Sequence, residues 1–199
     1  MRIDTVRGAN FQTADGSSVD VDELIVIRDD QNSVVLFPLL YAMFSARTGT
    51  NIHWQRLQSS GGSSSYFEMT KSPIGCKTIR AYMSCLLGFL SYLNSSSHKL
   101  NWPTVHHTHL CDERFVNSYL NDVLPKAAQS ITSIRVAQSA LTGYFNFLEY
   151  LEIRPRLELR IYRRTTQSVA ERDDRPRKIS YISREHRTVL LMCCRSKCE

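Results

Sequence analysis

Glycine and proline are scarce in this chain, eight and six among 199 residues. That excludes collagen-like repeats and Gly/Pro-rich low-complexity sequence. Long hydrophobic runs are missing too. The longest, Val34 to Phe44, is broken by Pro38 and falls short of the ~20 residues that span a bilayer. The start, MRIDTVRGANFQTADGSS, is polar and mixed in charge, without the apolar stretch of a secretory signal. No Gly-rich phosphate loop, Ser/His/Asp order or paired-carboxylate motif stands out. Cys76, Cys85, Cys111, Cys193, Cys194 and Cys198 follow no regular spacing. Without a secretory context they read as reduced thiols of an intracellular protein.

What is present is enough apolar content, 42%, to build a core. The net charge of +6 is unevenly placed. Residues 1–153 carry 12 Lys/Arg against 13 Asp/Glu, and residues 154–199 carry 13 against 6. A basic tail on a nearly neutral body points to a polyanionic partner met mainly by the tail.

Along the chain, residues 1–22 read as a polar, loosely structured lead-in. Glu23–Arg28 and Ser33–Phe37, on either side of Asp29-Asp30-Gln31-Asn32, predict a small β-hairpin. Pro38 then opens a short helix, Leu39 to Arg47. Ser59-Ser-Gly-Gly-Ser-Ser-Ser65 reads as a flexible linker and a boundary. Ile79, Tyr82, Met83, Leu86, Leu87, Leu90 and Leu93 fall at the three–four spacing of an amphipathic helix ended by Asn94. A second helix begins near Thr108, with Phe115, Val116, Tyr119, Leu120, Val123 and Leu124 inward and Pro125 after it. A third starts near Ser130, buries Ile134, Ala137, Leu141, Tyr144, Phe145, Leu148 and Leu151, and closes at Arg154-Pro155. Leu157 to Tyr162 alternates like a strand or an extended linker. Arg163 to Lys178 is polar and basic, and Ser183 caps a last helix, Arg184 to Cys194.

Two of these segments carry a family resemblance. Lys77-Thr78-Ile79-Arg80-Ala81-Tyr82, followed by Leu86, Phe89, Leu90 and Leu93, resembles the opening helix of the core-binding, SAM-like domain of tyrosine-type site-specific recombinases, the phage integrase family. Ser130-Ile-Thr-Ser-Ile-Arg135, continuing to Leu141, Tyr144 and Phe145, is similar to a later helix of that domain. Tyr181-Ile182-Ser183-Arg184-Glu185 resembles the lead-in to the catalytic domain. The likeness covers roughly residues 72–190 by the order of its elements.

The fold expected is therefore mainly α: a core-binding bundle of three or four helices, preceded by a small β-hairpin/helix region and followed by a basic linker. Residues 1–70 form the hairpin-containing region, 71–154 the helical DNA-binding domain, and 155–199 the linker and first helix of a catalytic domain cut short. The resemblance implies double-stranded DNA as partner, self-association on DNA in the full-length parent, and no metal or other cofactor. It transfers no catalytic residue, because the family's catalytic set lies further on. The fragment alone is expected to be inactive; the parent would cleave and rejoin strands in DNA integration and recombination of a mobile element. The expected location is the cytoplasm of a bacterium, at the nucleoid and not at a membrane.

Phosphate contacts are expected from Lys77, Thr78 and Arg80 at one helix start and Thr132 and Ser133 at the other. Arg135 and Gln138 have side chains able to read a guanine or an adenine edge. Arg163, Arg164, Arg172, Arg175, Arg177 and Lys178 would track the backbone. The competing reading is a helical protein-interaction module that docks a partner subunit, which the near-neutral residues 1–153 favour. His106-His107-x-His109-x-Cys111 and Cys193-Cys194-x-x-x-Cys198 match no standard zinc spacing.

Overall fold

The computed structural model describes residues 1–12, 16–58, 65–100, 103–127, 130–162 and 165. The first feature is a long antiparallel hairpin, β1 (Arg2–Gln12) with β2 (Ser18–Arg28), in register from Arg2↔Arg28 to Gln12↔Ser18. In β1, Ile3, Ala9 and Phe11 are half-buried and Asn10 and Gln12 beside them are exposed, as in a half-exposed strand. In β2, Leu24, Ile25, Val26 and Ile27 are all buried in succession, because α1 (Leu36–Thr48) and α2 (Cys76–Leu100) both pack on that strand. A second hairpin follows α1: β3 (Thr50–Gln58) with β4 (Ser65–Pro73), in register from Thr50↔Pro73 to Gln58↔Ser65.

The expectation of a mainly α bundle is thus corrected. The described residues are 53% helical and 27% strand, in two separate two-stranded sheets. The predicted hairpin around Asp29–Asn32 is also replaced. The turn itself is real: Asp29 Oδ1 accepts from Gln31 N and Ser33 N at 2.9 and 2.7 Å, and Asn32 takes a left-handed φ of 65°. It joins β2 to a helix, however. Val34 makes one bridge to Arg28, and α1 begins at Leu36, with Pro38 inside its first turn where a missing N–H costs nothing. The strand that pairs with β2 comes from the supposed lead-in. The Ser/Gly stretch connects β3 to β4, and its residues 59–64 lie outside the described set.

The helical part follows the predicted stripes except at the end of the third, whose helix stops at Tyr150 and leaves Leu151 exposed instead of buried. Ile79, Met83, Leu86, Leu90 and Leu93 of α2 are buried, and that helix continues past Asn94 to Leu100. A 3₁₀ turn (Val105–Leu110) leads to α3 (Glu113–Ser118), a π turn (Tyr119–Val123) and α4 (Leu124–Ala127). Pro125 sits inside this run and not after it. It has no N–H for the Asn121 carbonyl, and just upstream the ladder widens, with Leu124 N bonding Tyr119 O. α5 (Ile131–Tyr150) begins where expected, with Ser130 Oγ accepting from Ser133 N at 3.2 Å.

One core cluster runs through all of these elements, from Leu24 to Leu159. Tyr144 is fully buried and shares a 2.5 Å hydroxyl bond with Thr108; burial drives its phenol pKa upward. Asn146 Nδ2 donates to Ile52 O at 3.1 Å, and Trp54 Nε1 donates to Glu149 at 2.6 Å, tying β3 to α5. Among the described residues no helix is long and apolar enough to cross a membrane.

The described thiols differ in access. Cys76 is exposed, while Cys111 is buried, and burial pushes its pKa up to about 12. In native protein at pH 8, a thiol reagent is expected to modify Cys76 within minutes and to leave Cys111 untouched until denaturant is added. Peptide mass mapping checks this; rapid native labelling of Cys111 would contradict the packing around it.

Candidate nucleic-acid interface

The first predicted contact surface is the start of α2. Lys77, Thr78 and Arg80 are exposed there, and Ile79 points into the core. Arg80 is hydrogen-bonded and ion-paired with Glu23 of β2. Asp20, Asp22 and Glu23 line a shallow cleft of about 120 Å³ beside Cys76 and Ile79. Three carboxylates next to this helix start offset the attraction that Lys77 and Arg80 offer a phosphate.

The start of α5 is different. Thr132 and Arg135 are exposed, and Arg135 makes no ion pair among the described residues. Ser133 is exposed as well, and its hydroxyl shares a 3.0 Å bond with Ser130. Gln138, one turn further along, is occupied: its Nε2 donates to Leu159 O at 2.8 Å. The predicted base reader thus holds backbone of its own chain.

Leu159 belongs to a strap, residues 155–162, that runs without a turn or bend and has no β-partner among the described residues. Its backbone is held by side chains. Asn117 Nδ2 donates to Glu158 O at 3.1 Å, and Asn117 Oδ1 accepts from Arg160 N at 2.8 Å. Asn121 repeats the pattern two residues on, donating to Arg160 O at 2.8 Å and accepting from Tyr162 N at 2.7 Å. Thr165 Oγ1 adds a 2.8 Å bond to Asn121 Oδ1, and Glu113 accepts from Glu158 N at 3.0 Å. Leu157 and Leu159 are buried beneath. The strap leads directly to Arg163 and Arg164. Those two, with Arg172, Arg175, Arg177, Lys178 and the helix predicted at Arg184 to Cys194, lie outside the described residues.

A surface that sequence reading missed lies on the β3–β4 hairpin. The Arg156 guanidinium stacks 3.8 Å over the Phe67 ring and 5.9 Å from Trp54. His53, Trp54, Thr142, Asn146, Arg156 and Arg160 border an open cleft of about 330 Å³. Burial raises the Glu149 carboxyl pKa there, against the Trp54 hydrogen bond and the nearby Arg156 and Arg154. The signal was present as His53-Trp54-x-Arg56 on one side of a Ser/Gly-rich sequence and Tyr66-Phe67 on the other, a pattern legible only once the two segments pair.

The histidines at 106, 107 and 109 each have a different partner, and the rings of His107 and His109 also lie 5.9 Å apart. His106 Nε2 lies 3.0 Å from Asp29, His107 Nδ1 lies 2.8 Å from the Thr104 hydroxyl, and His109 meets the Phe37 ring edge-on. Among the described residues no group of three His/Cys/Asp/Glu is placed to hold a metal. Comparison with family models, curated proteins and solved structures returns no match to this chain.

Proposed function

We propose that this chain grips double-stranded DNA as the core-binding part of a tyrosine-type recombinase, working at the bacterial nucleoid. The first turns of α5 would read the site, and the basic residues after the strap would track phosphates. One observation carries the reading. Gln138 ties the strap to α5 three residues beyond Arg135, about 4.5 Å along the helix axis. The chain that leads to Arg163 and Arg164 is thereby anchored beside the exposed Thr132, Ser133 and Arg135. A polar, cationic helix start next to the root of a basic segment suits a phosphate backbone and a groove edge together. The carboxylates around Arg80 give the α2 start a lesser share.

Fluorescence anisotropy with labelled duplex, over a salt series, tests this. Arg135→Ala is expected to weaken binding about tenfold, with affinity falling steeply as salt rises. No binding at low salt by folded protein would overturn the reading. The alternative, docking of a partner subunit, draws on an apolar cleft of about 330 Å³ at Pro103, Leu110, Cys111 and Phe115, where Leu110 is 61% exposed. It predicts that Leu110→Asp disrupts assembly in size-exclusion chromatography and leaves the folded monomer intact.

A further inference from the structure

We infer that Asn117 and Asn121 are positioning residues: their carboxamides fix the strap, and so fix where the basic segment leaves the body. The inference rests on the DNA reading above and assigns a task to residues outside the contact surface. An extended backbone normally satisfies its N–H and C=O groups on a neighbouring strand. Here a primary amide imitates that neighbour. It donates to the carbonyl of residue i and accepts from the N–H of residue i+2, first at 158 and 160, then at 160 and 162. The two asparagines are four apart on one helical run, hence on one face, and the strap repeats every two residues, so the ladder stays in step. Asn121 is filled to capacity. Its second N–H goes to Asn117 O at 2.8 Å and its second lone pair to Thr165. Both asparagines are buried, and Thr165, the last described residue, is 3% exposed. The strap is therefore locked on both sides, by Asn117 and Asn121 from one helix and by Gln138 from another. Most of these bonds are to backbone, so the lock depends little on which side chains the strap carries.

A segment tethered at a fixed root meets its phosphates at a higher effective concentration than one that swings free. Asn121→Ala is therefore expected to speed amide hydrogen exchange at least tenfold at Tyr162, whose N–H it leaves without an acceptor, and more mildly at Arg160, whose carbonyl it releases. DNA affinity should fall about tenfold, and the slope of log affinity against log salt should become shallower by about one or two. Tyr162→Pro removes the N–H that Asn121 receives, without touching any helix, and should reproduce the faster exchange at Arg160 and both binding effects. It carries the test if Asn121→Ala does not fold. Faster exchange with affinity and salt slope unchanged would overturn the positioning role and leave the DNA reading standing. Wild-type protein that shows a protected strap yet binds no DNA would overturn the DNA reading, and the positioning role with it.

Discussion

Replacing Phe89 by alanine is expected to lower the unfolding free energy by about 3–5 kcal/mol, read as a fall in the urea midpoint with an unchanged slope. Phe89 is fully buried in the middle of α2. Its ring lies 5.9 Å from Phe115 of α3, 5.2 Å from Tyr119 of the π turn and 6.1 Å from Phe145 of α5. One side chain thus touches three elements at once. Edge-to-face pairs of this kind add to the area they bury. Removing the ring leaves a cavity walled by large aromatics, which cannot collapse into it as a loop would. Tyr92 is the comparison. It stacks on Phe115 at 5.5 Å but is half-buried at the margin, so Tyr92→Ala should cost clearly less. A loss of about 1 kcal/mol or below for Phe89→Ala would mean that these elements do not converge on it.

The helical part was legible because its physics is local. A three–four repeat over many residues specifies which face turns inward, and Ile79, Met83, Leu86 and Leu90 are buried as that repeat requires. The serine before Ile131 announced a cap, and it is one. The β part was less legible because strand pairing is not local. Leu24–Ile27 was visible as a strand, but nothing in it names a partner. The Asp29–Asn32 turn made Ser33–Phe37 look like the mate. Arg2–Gln12 took that place, a sequence too polar to announce itself. The strand-like runs of β3 and β4 were hidden by the serines and glycines between them, which fit a linker as well as a hairpin loop.

The candidate site divides along the same line. Arg135 and Thr132 were singled out by residue type at a helix start, and the structure leaves them exposed. Gln138 was singled out for a carboxamide that can read a base, and that same chemistry binds Leu159 O. Asn117 and Asn121 were invisible. In sequence they are polar residues within an apolar stripe, and only the return of residues 155–162 shows that they meet backbone. The Asp20, Asp22 and Glu23 carboxylates near Arg80 also arrive from far away in sequence, 57 residues for the ion pair itself.

Gly143→Ala should destabilise the protein by about 1–3 kcal/mol, although helix propensity alone predicts a gain of up to ~1 kcal/mol. The added Cβ would stand 2.5 Å from both Asn51 Oδ1 and Nδ2 and 2.9 Å from its Cγ. Asn51 has little room to yield. It is 2% exposed, and its Oδ1 accepts from Tyr41 Oη at 3.1 Å and from Ile52 N at 3.0 Å. Its Nδ2 is buried and has no hydrogen-bond partner among the described residues, so the contact there is one of space. Gly88→Ala is the matched control on α2. The nearest atom to its added Cβ is the Tyr119 hydroxyl at 3.3 Å, and Gly88 itself is exposed. There the Tyr119 hydroxyl has to shift by only a few tenths of an ångström, so Gly88→Ala should cost clearly less than Gly143→Ala. Thermal melts of the two glycine variants separate overpacking from backbone entropy. Adding Asn51→Ala to Gly143→Ala closes the argument. Asn51→Ala alone removes the acceptor from the buried Tyr41 hydroxyl and costs stability. If the close approach is the cause, the double variant is more stable than the sum of the two losses by about 0.5–3 kcal/mol. Simple additivity would place the cost of Gly143→Ala somewhere other than Asn51.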